Sequence, residues 1–359
     1  MHNLISYLKK YKDTFFSDMP LTEVDRAILV QLTYLNFEKT NCRAFVQVNQ
    51  LINQEKLLVD GNYSPRRNKR LLRLLASSKR FSGLEIGEVE SVLTEDMQYC
   101  SMTFRIDQTY FICFRGTDLS ISGWKEDMCL GIYPSIPSHK KGLEYTEKIM
   151  SQYIGEYEVL GHSKGGNVAL YAAIHLPVHH QNKLRSIYDF DGPGFNSDIL
   201  EQEEYKRLEQ RHFKYIPQDD VVGLLLNHTK NYVVVRSRSI GFLQHDLLYW
   251  KIENMKFKRT KETSVLSRVF SKTIADWLSS LTYQEKVDCF LMFDDFCKKA
   301  NLTNLNQFRR STFRSIKDMI YSCIKLSFRQ KKLFTILFFR LVKYYLKASM
   351  GWFFFRKYA

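Results

Sequence analysis

Ser163 lies between Gly161 and Gly165, which fits the pattern G-x-S-x-G. The pattern indicates chemistry only where a strand runs directly into a helix, because the serine is then held on a strained turn with its hydroxyl exposed. Residues 157–160 are β-forming and residues 167–173 are helix-forming, so the sequence provides that setting. Glycine suits both flanking positions, since strand and helix pack too closely there for a side chain. The spacing predicts Ser163 as a nucleophile.

A serine nucleophile needs a base, and the base needs an acid that orients it. For this kind of turn, the acid and then the histidine follow the serine along the chain. Asp219 and Asp220 come directly after the predicted strand 212–216, at the end of the sheet where such folds place active sites, and His245 lies in the loop after the next strand. We therefore predict a catalytic triad of Ser163, Asp220 or Asp219, and His245.

Other residues of the right type lie nearby. His228 precedes the last predicted strand and is the alternative base, whereas His162 adjoins the serine at a position that points away from its hydroxyl, so we expect it to pack. Asp189 and Asp191 end another predicted strand, and either is an alternative acid. A turn or a helix cap is the structural role that these aspartates would otherwise have.

Ester hydrolysis through a serine also needs an oxyanion hole. One donor is the backbone N–H of Lys164, and the second should come from a loop after an earlier strand. Gly116 permits a tight turn there, and Thr117 offers its backbone N–H and its hydroxyl. We predict an oxyanion hole of Thr117 and Lys164. Because a cation at a helix N-terminus opposes the helix dipole, we hypothesise that the Lys164 side chain meets an anionic group of the substrate.

The elements that must position these residues alternate along the chain. The periodicity predicts a hairpin of strands 99–106 and 109–114, helix 141–154, strand 157–160, helix 164–176, strand 184–191, helix 197–210, and strands 212–216 and 232–237. Such alternation predicts an α/β fold with a mainly parallel sheet and helices on both faces.

Helical patterns flank this region on both sides. They include a run from Leu21 that Thr22 and Asp25 suit as a capped first turn, and the basic stretch Pro65–Ser78. Beyond residue 260 only helical patterns occur, over 276–281, 283–299 and 305–347. We expect a main domain over 1–260, with an N-terminal helical part (1–90) and a catalytic core (97–255), followed by a basic helical region over 261–359.

The motifs together resemble a known group. The segment Phe114–Thr117, the following residues 124–127, the serine turn and the late Asp and His resemble the class 3, fungal-type lipase branch of the α/β-hydrolases. More narrowly, segments 161–167, 191–195 and 244–246 resemble a bacterial, lipase-like family of uncharacterised function. The resemblance implies an α/β-hydrolase fold with Ser163 as nucleophile, Thr117 and Lys164 at the oxyanion hole and His245 as base. Its Asp-x-Val spacing favours Asp220 as acid.

The positive charge is concentrated near the C-terminus. Residues 301–359 contain thirteen Lys and Arg against one acid, Asp318, in a chain of net charge +15. Arg329, Lys332 and Arg340 lie on one helical stripe beside a wide apolar face, a pattern that suits an anionic membrane surface. The alternative is a helix that packs on the main domain with its basic stripe in water. No nucleic-acid-binding motif accompanies the charge.

Composition narrows the setting. Seven cysteines occur without C-x-x-C or metal-ligand spacing, and the N-terminus lacks a signal-peptide pattern. We expect reduced thiols, no cofactor and no metal. We also expect a cytoplasmic protein that binds peripherally at the inner face of the membrane. The expected activity is a serine hydrolase of the esterase or lipase type acting on a small-molecule or lipid ester. The alternatives are an acyltransferase with the same triad and a catalytically idle, membrane-associated binding module.

Overall fold

The computed structural model describes residues 3–40, 45–59, 64–304 and 326–356. Eight strands form one sheet in the order of the sequence, antiparallel from β1 to β4 and parallel from β4 to β8. They are β1 (Val46–Gln47), β2 (Glu85–Leu93), β3 (Gln98–Ile106), β4 (Thr109–Phe114), β5 (Glu156–His162), β6 (Leu184–Phe190), β7 (His212–Pro217) and β8 (Tyr232–Val235). A small hairpin consists of β9 (Ile252–Glu253) and β10 (Lys256–Phe257).

Helices cover the sheet and extend beyond it. The α-helices are α1 (Leu4–Tyr11), α2 (Glu23–Leu32), α3 (Glu55–Val59), α4 (Pro65–Ala76), α5 (Ile121–Leu130), α6 (Pro137–Gln152), α7 (Lys164–His175), α8 (Val178–Gln181), α9 (Glu203–Lys206), α10 (Val265–Ser279), α11 (Tyr283–Lys299) and α12 (Phe328–Arg356). Single 3₁₀ turns span Phe37–Thr40, Val48–Gln54, Ile199–Glu201, Glu209–Arg211, Gly241–His245 and Leu247–Tyr249.

This architecture confirms the predicted α/β class and its mainly parallel sheet. The predicted hairpin is β3 and β4, and α2 begins with the expected capping box of Thr22 and Asp25. Some elements differ from the prediction, among them β2 and the segment after β6. β2 was not predicted from the sequence, and the single helix expected over 197–210 is instead three short turns. The predicted helix over 305–347 begins outside the described residues, and its described part belongs to α12.

The core lies on both faces of the sheet, as strand periodicity requires. Neighbouring strand residues such as Phe111 and Ile112 point to opposite faces, so each face has its own apolar cluster. α1, α2 and α4 cover one face, and α6 and α7 cover the other. Because helices cover both faces of the sheet, nearly every residue of β3, β4 and β5 is buried.

The C-terminal helices form a separate layer. α12 packs along α10, where the indole N–H of Trp277 donates to the carbonyl of Leu337 at 3.1 Å and Arg340 bonds Glu285 at 2.9 Å. No helix in the described part of the chain is long and apolar enough to cross a membrane. The described cysteines are unpaired; they are Cys100, Cys113, Cys129, Cys289 and Cys297.

Candidate active site

The turn between β5 and α7 holds Ser163 in a strained conformation. Its φ angle is 58°, in the left-handed region that residues with a side chain rarely adopt, and its backbone N–H donates to the carbonyl of Phe190 at 3.0 Å. The flanking glycines make this turn possible. A Cβ on Gly161 would lie 2.0 Å from the carbonyl oxygen of Gly165, and a Cβ on Gly165 would lie 2.2 Å from that of Phe114. The predicted strand, turn and helix are therefore present at Ser163.

The loop after β4 lies directly against the serine. A Cβ on Gly116 would come within 2.8 Å of the Ser163 Cβ, so only glycine allows this approach. The next residue, Thr117, donates its hydroxyl to Asp127 at 2.8 Å. The hydroxyl proton is thereby committed to Asp127, which leaves the backbone N–H of Thr117 as its donor towards the serine. The backbone N–H of Lys164 lies in the first turn of α7, where no carbonyl of the same helix is available to accept it.

His245 lines the same cavity as Ser163 and contacts an aspartate. Nδ1 of His245 lies 2.6 Å from Oδ2 of Asp191. Because the carboxylate accepts this hydrogen bond, Nδ1 carries the proton and Nε2 is the unprotonated nitrogen, as a base requires. Burial lowers the pKa of His245 to about 4, and the negative charge of Asp220 opposes that shift. The imidazole is therefore neutral at physiological pH.

The acid that contacts His245 is not the one expected. In the structure Asp220 turns its carboxylate back on its own loop, where it accepts the backbone N–H groups of residues 222, 223 and 224 at 2.8 to 3.1 Å. Asp219 accepts instead from the side-chain amide of Gln244 at 2.5 Å. These local hydrogen bonds satisfy both carboxylates and hold them off the imidazole. Asp191, an alternative in the sequence analysis, takes the contact.

The remaining alternatives have other partners. Asp189 is buried and accepts from the Lys214 ammonium at 2.7 Å and from the N–H of Gly192 at 2.8 Å. His228 contacts the carbonyl of Leu226 in its own loop at 3.0 Å. Among the described residues, Asp189 forms no hydrogen bond with His245, and His228 does not line the cavity that contains Ser163.

His162 packs, as expected, but it also supports the base. Its Nε2 donates to the backbone carbonyl of His245 at 2.7 Å, which leaves Nδ1 to accept from the Tyr34 hydroxyl at 2.6 Å. The Tyr34 hydroxyl also packs against the loop after β4, because a Cβ on Gly116 would lie 2.6 Å from its oxygen. Burial lowers the pKa of His162 well below its usual value and so keeps the ring neutral. A tyrosine from the N-terminal region thus links the Gly116 loop to the loop that carries the base.

The side chain of Lys164 is not where the sequence suggested. It is 2% exposed, and its ammonium bonds Glu126 at 2.6 Å, the carbonyl of Gln98 at 2.7 Å and the Gln98 side chain at 3.2 Å. The hypothesis that it meets an anionic substrate group is therefore wrong, because the cation is neutralised and fully coordinated inside the protein. The contribution of Lys164 to the site is its backbone N–H.

A cavity of about 690 Å³ connects these parts. Ser163, His245 and Thr117 all line it. Its walls differ in character with their origin in the chain. The segments near α5, α10 and the loops after β7 and β8 contribute mainly apolar side chains, among them Leu119, Trp124, Met128, Val222, Leu225, Phe242, Phe270 and Leu278. The N-terminal region and the loop after β4 contribute polar ones, among them Gln31, Tyr34, Glu38, Asn68, Arg115 and Asp118.

Burial also acts on the acids around the cavity. It raises the pKa of Asp127 to about 6, with the Lys164 ammonium and the Thr117 hydroxyl opposing the shift.

Within the described residues, no cluster of His, Cys, Asp and Glu could hold a metal ion.

Sequence reasoning missed Tyr34 and Glu126 as parts of the site. Glu126 lies in the segment 124–127 that carries the resemblance, but the sequence does not show its contact, because Glu126 and Tyr34 each act through a partner far along the chain. Asp191 did leave a signal, since it directly follows a buried strand next to the one that carries the serine.

Fold and site together define the class. A mainly parallel sheet with a strained serine turn after β5, followed by an aspartate and a histidine that contact each other, has the architecture of the α/β-hydrolases. The family model described as Mbeg1-like matches residues 75–321, more than half of the chain, and the chain belongs to that family.

Solved structures similar to this chain include lipases. A Rhizomucor miehei lipase in complex with its propeptide is 21% identical, with 43% of this chain and 57% of that chain covered and a TM-score of 0.33. M37 lipase is 17% identical, with 58% and 71% covered and a TM-score of 0.38. A mutant of MDLA from Penicillium cyclopium is 14% identical, with 71% and 86% covered and a TM-score of 0.40. A search of curated proteins gives no match.

Proposed function

We propose that this protein is a serine hydrolase that cleaves carboxylic esters. Ser163 attacks the ester carbonyl while Nε2 of His245 takes the hydroxyl proton, and Asp191 stabilises the imidazolium that forms. The N–H groups of Thr117 and Lys164 stabilise the oxyanion. His245 then gives the proton to the leaving alcohol, and water releases the acyl group by the same route.

The observation that carries the proposal is the strained turn of Ser163 in a cavity shared with His245, whose Nδ1 hydrogen-bonds Asp191. A backbone in the left-handed region costs roughly 1–3 kcal/mol and persists mainly where function requires it. In a binding module without activity, neither this strain nor the buried pair of His245 and Asp191 would have a purpose. An acyltransferase would use the same residues with an alcohol in place of water.

The cavity suggests an amphipathic ester as the substrate. Its apolar side chains suit an acyl chain, and its polar side chains suit a hydroxyl-bearing alcohol. Two polar atoms in this wall, Nε of Arg115 and Oε2 of Glu38, are buried without a hydrogen-bond partner in the described part of the protein. Buried polar atoms normally have hydrogen-bond partners. A polar substrate group that both donates and accepts a hydrogen bond would provide partners for these two atoms.

Labelling with a fluorophosphonate tests the activity directly. The wild type should be labelled, and Ser163→Ala should not. Ser82→Ala, at a serine far from the site on the exposed end of the N-terminal region, should label like the wild type. Absence of label on the wild type, or equal label on Ser163→Ala, would contradict the proposal.

Esters of graded acyl-chain length then test the substrate class. If the apolar walls hold the acyl chain, kcat/KM should rise with chain length, because each buried methylene contributes about 0.8 kcal/mol. That corresponds to roughly a fourfold gain per methylene until the cavity is full. A flat series would contradict this assignment of the apolar wall.

We also propose that α12 binds an anionic lipid surface, at the cytoplasmic face of a membrane. Only a narrow stripe of this helix packs on the protein, including Leu337 and Ala348, whereas Phe338 and Phe339 are 51% and 64% exposed. Exposed aromatic residues beside lysines suit a lipid interface, and anionic lipids are enriched in the cytoplasmic leaflet. α10, which packs against α12, also lines the cavity through Phe270, so a substrate in the bilayer would lie near the site.

Vesicle sedimentation tests this second proposal. The wild type should bind vesicles rich in phosphatidylglycerol more strongly than vesicles of phosphatidylcholine. A double variant, Phe338→Ser with Phe339→Ser, should lose most of that binding, whereas Ile154→Ser, which removes a fully exposed apolar side chain elsewhere, should not. Equal binding by all three proteins would contradict a lipid-binding role for α12.

A further inference from the structure

Two buried carboxyl groups, not one, lie behind the imidazole of His245. Asp191 follows β6 and Asp220 follows β7, and both are 0% exposed. The backbone N–H of Gly223 lies 3.1 Å from Oδ1 of Asp191 and 2.8 Å from Oδ1 of Asp220, so both oxygens share one donor. A Cβ placed on Gly223 would lie 2.7 Å from Oδ1 of Asp191 and 3.4 Å from Oδ1 of Asp220, so the two carboxyl groups lie beside the same glycine.

A hydrogen bond between two carboxyl groups requires a proton, since a carboxylate is an acceptor only. Two adjacent carboxylates in a buried site also repel each other strongly, so one of them takes up a proton. The surrounding N–H groups could stabilise one negative charge, but they do not replace a missing cation.

No neighbouring cation neutralises the pair. The Lys214 ammonium opposes the rise in the pKa of Asp191 that burial causes, but it bonds Asp189 at 2.7 Å and the carbonyl of Gly192. Burial keeps His245 neutral, and it likewise lowers the pKa of His228, the other histidine near Asp220. Among the described residues, the groups that face the pair thus offer N–H donors but no free positive charge.

We propose that Asp191 and Asp220 share a single proton and act on His245 as one acid with one negative charge. Asp191 makes the contact with Nδ1, and Asp220 is a positioning residue that holds the proton against Asp191. During acyl transfer the Ser163 proton moves to Nε2 of His245 and on to the leaving alcohol, while the shared proton stays between the two carboxyls. This inference rests on the proposed hydrolase function.

The electrostatics agree with the geometry. Burial raises the pKa of Asp191 to about 7, with the hydrogen bond to Asp220 opposing it. Burial also raises the pKa of Asp220 well above its usual range, and the charge of Asp191 adds to that effect. The proton is therefore retained at neutral pH.

Substitution by asparagine separates the two roles. Asp191→Asn removes the charge on Nδ1 and favours the wrong tautomer, so kcat/KM should fall by roughly 10³–10⁴-fold. Asp220→Asn keeps a donor to Asp191 in place of the shared proton, so the loss should be about tenfold, and Asp220→Ala, which lacks that donor, should lose more. Asp198→Asn, at an exposed carboxyl of the segment after β6, is the matched control for loss of charge. An Asp220→Asn loss as large as that of Asp191→Asn would overturn the proposal.

Infrared spectroscopy detects the proton without any need for activity. At about pH 8 the wild type should show the C=O stretch of a protonated carboxylic acid, and that band should be missing from Asp191→Asn and Asp220→Asn. Asp127 does not interfere, because burial raises the pKa of its carboxyl only to about 6, so the group is ionised at pH 8. Its contribution also cancels when the spectrum of a variant is subtracted from that of the wild type. Absence of the band from the wild type would overturn the shared proton. Absence of fluorophosphonate labelling would instead count against the hydrolase function, so the two failures are distinguishable.

Discussion

Glu126→Gln should destabilise the fold strongly, because it breaks a buried ion pair at the start of α7. The carboxylate of Glu126 is fully buried and accepts from the Lys164 ammonium at 2.6 Å and from the backbone N–H groups of Gln98 and Ser138 at 3.2 and 2.9 Å. A glutamine has the same shape but carries no charge. Because the charge is lost, the ammonium of Lys164 stays buried without a compensating charge. The glutamine amide group also faces one of the three donors to residue 126, where it cannot accept a hydrogen bond.

The expected cost follows from this geometry. Two unit charges about 4 Å apart interact by roughly 4 kcal/mol at the effective dielectric constant of about 20 that suits protein sites. Measured losses on breaking one side of a buried pair are about 3–5 kcal/mol. A loss of about 4 kcal/mol corresponds to a fall in Tm of roughly 5 °C for a chain of 359 residues, because the entropy of unfolding is about 2.1 cal/mol/K per residue.

Urea and thermal unfolding of three variants measure this. Glu95→Gln is the matched control, because Glu95 pairs with Lys298 at 2.8 Å on the surface, and its loss should not be measurable. A double variant, Glu126→Leu with Lys164→Met, removes both charges and should recover much of the stability lost in Glu126→Gln. A change below about 1 kcal/mol in Glu126→Gln would refute the reasoning, since it would mean that water or another group compensates Lys164.

Three further changes follow from the site. Tyr34→Phe leaves Nδ1 of His162 without its donor, so we expect a loss of about 1–3 kcal/mol in unfolding free energy and a lower kcat with little change in KM; unchanged kcat would show that the link to the base is not needed. Gly165→Ala forces a Cβ against the Phe114 carbonyl and should abolish fluorophosphonate labelling, whereas Gly83→Ala, with open space around it, should label normally. Because burial lowers the pKa of His245, the base form persists below its usual pKa, and kcat/KM should fall on acidification with a midpoint below about pH 6.5; a midpoint above that value would contradict the lowered pKa.

Several parts of the site could be predicted because their causes are local. The strand, turn and helix around Ser163 follow from β-forming and helix-forming residues next to one another and from glycines that no other residue can replace. The order of serine, acid and histidine is likewise readable, since parallel strands present their carboxyl ends at one edge of the sheet. The role of Ser163 and His245 in catalysis stays a prediction for the labelling experiment to test.

Other parts depend on contacts between distant residues. Position after a strand left Asp219 and Asp220 open as the acid, and the resemblance favoured Asp220. Local N–H groups hold the Asp220 carboxylate, and Asp191 is the one that reaches His245. Sequence position cannot show which of two carboxylates points at an imidazole. Whether the local turn holds a carboxylate with its own N–H groups decides this. β2 was missed for a related reason: the burial of its residues is set by its partner β3 and not by its own composition.

By itself, the sequence determined the class of this protein. Alternating strand and helix periods specify a parallel sheet with two covered faces, and the glycines around Ser163 specify the turn, because backbone sterics act over a few residues. The tertiary structure decided the partners: Glu126 for the buried cation of Lys164, Tyr34 for His162, and Asp191 with Asp220 for the base. Those choices depend on charges and hydrogen bonds that form only after distant segments pack, since a buried polar group must find whichever partner the fold brings within reach.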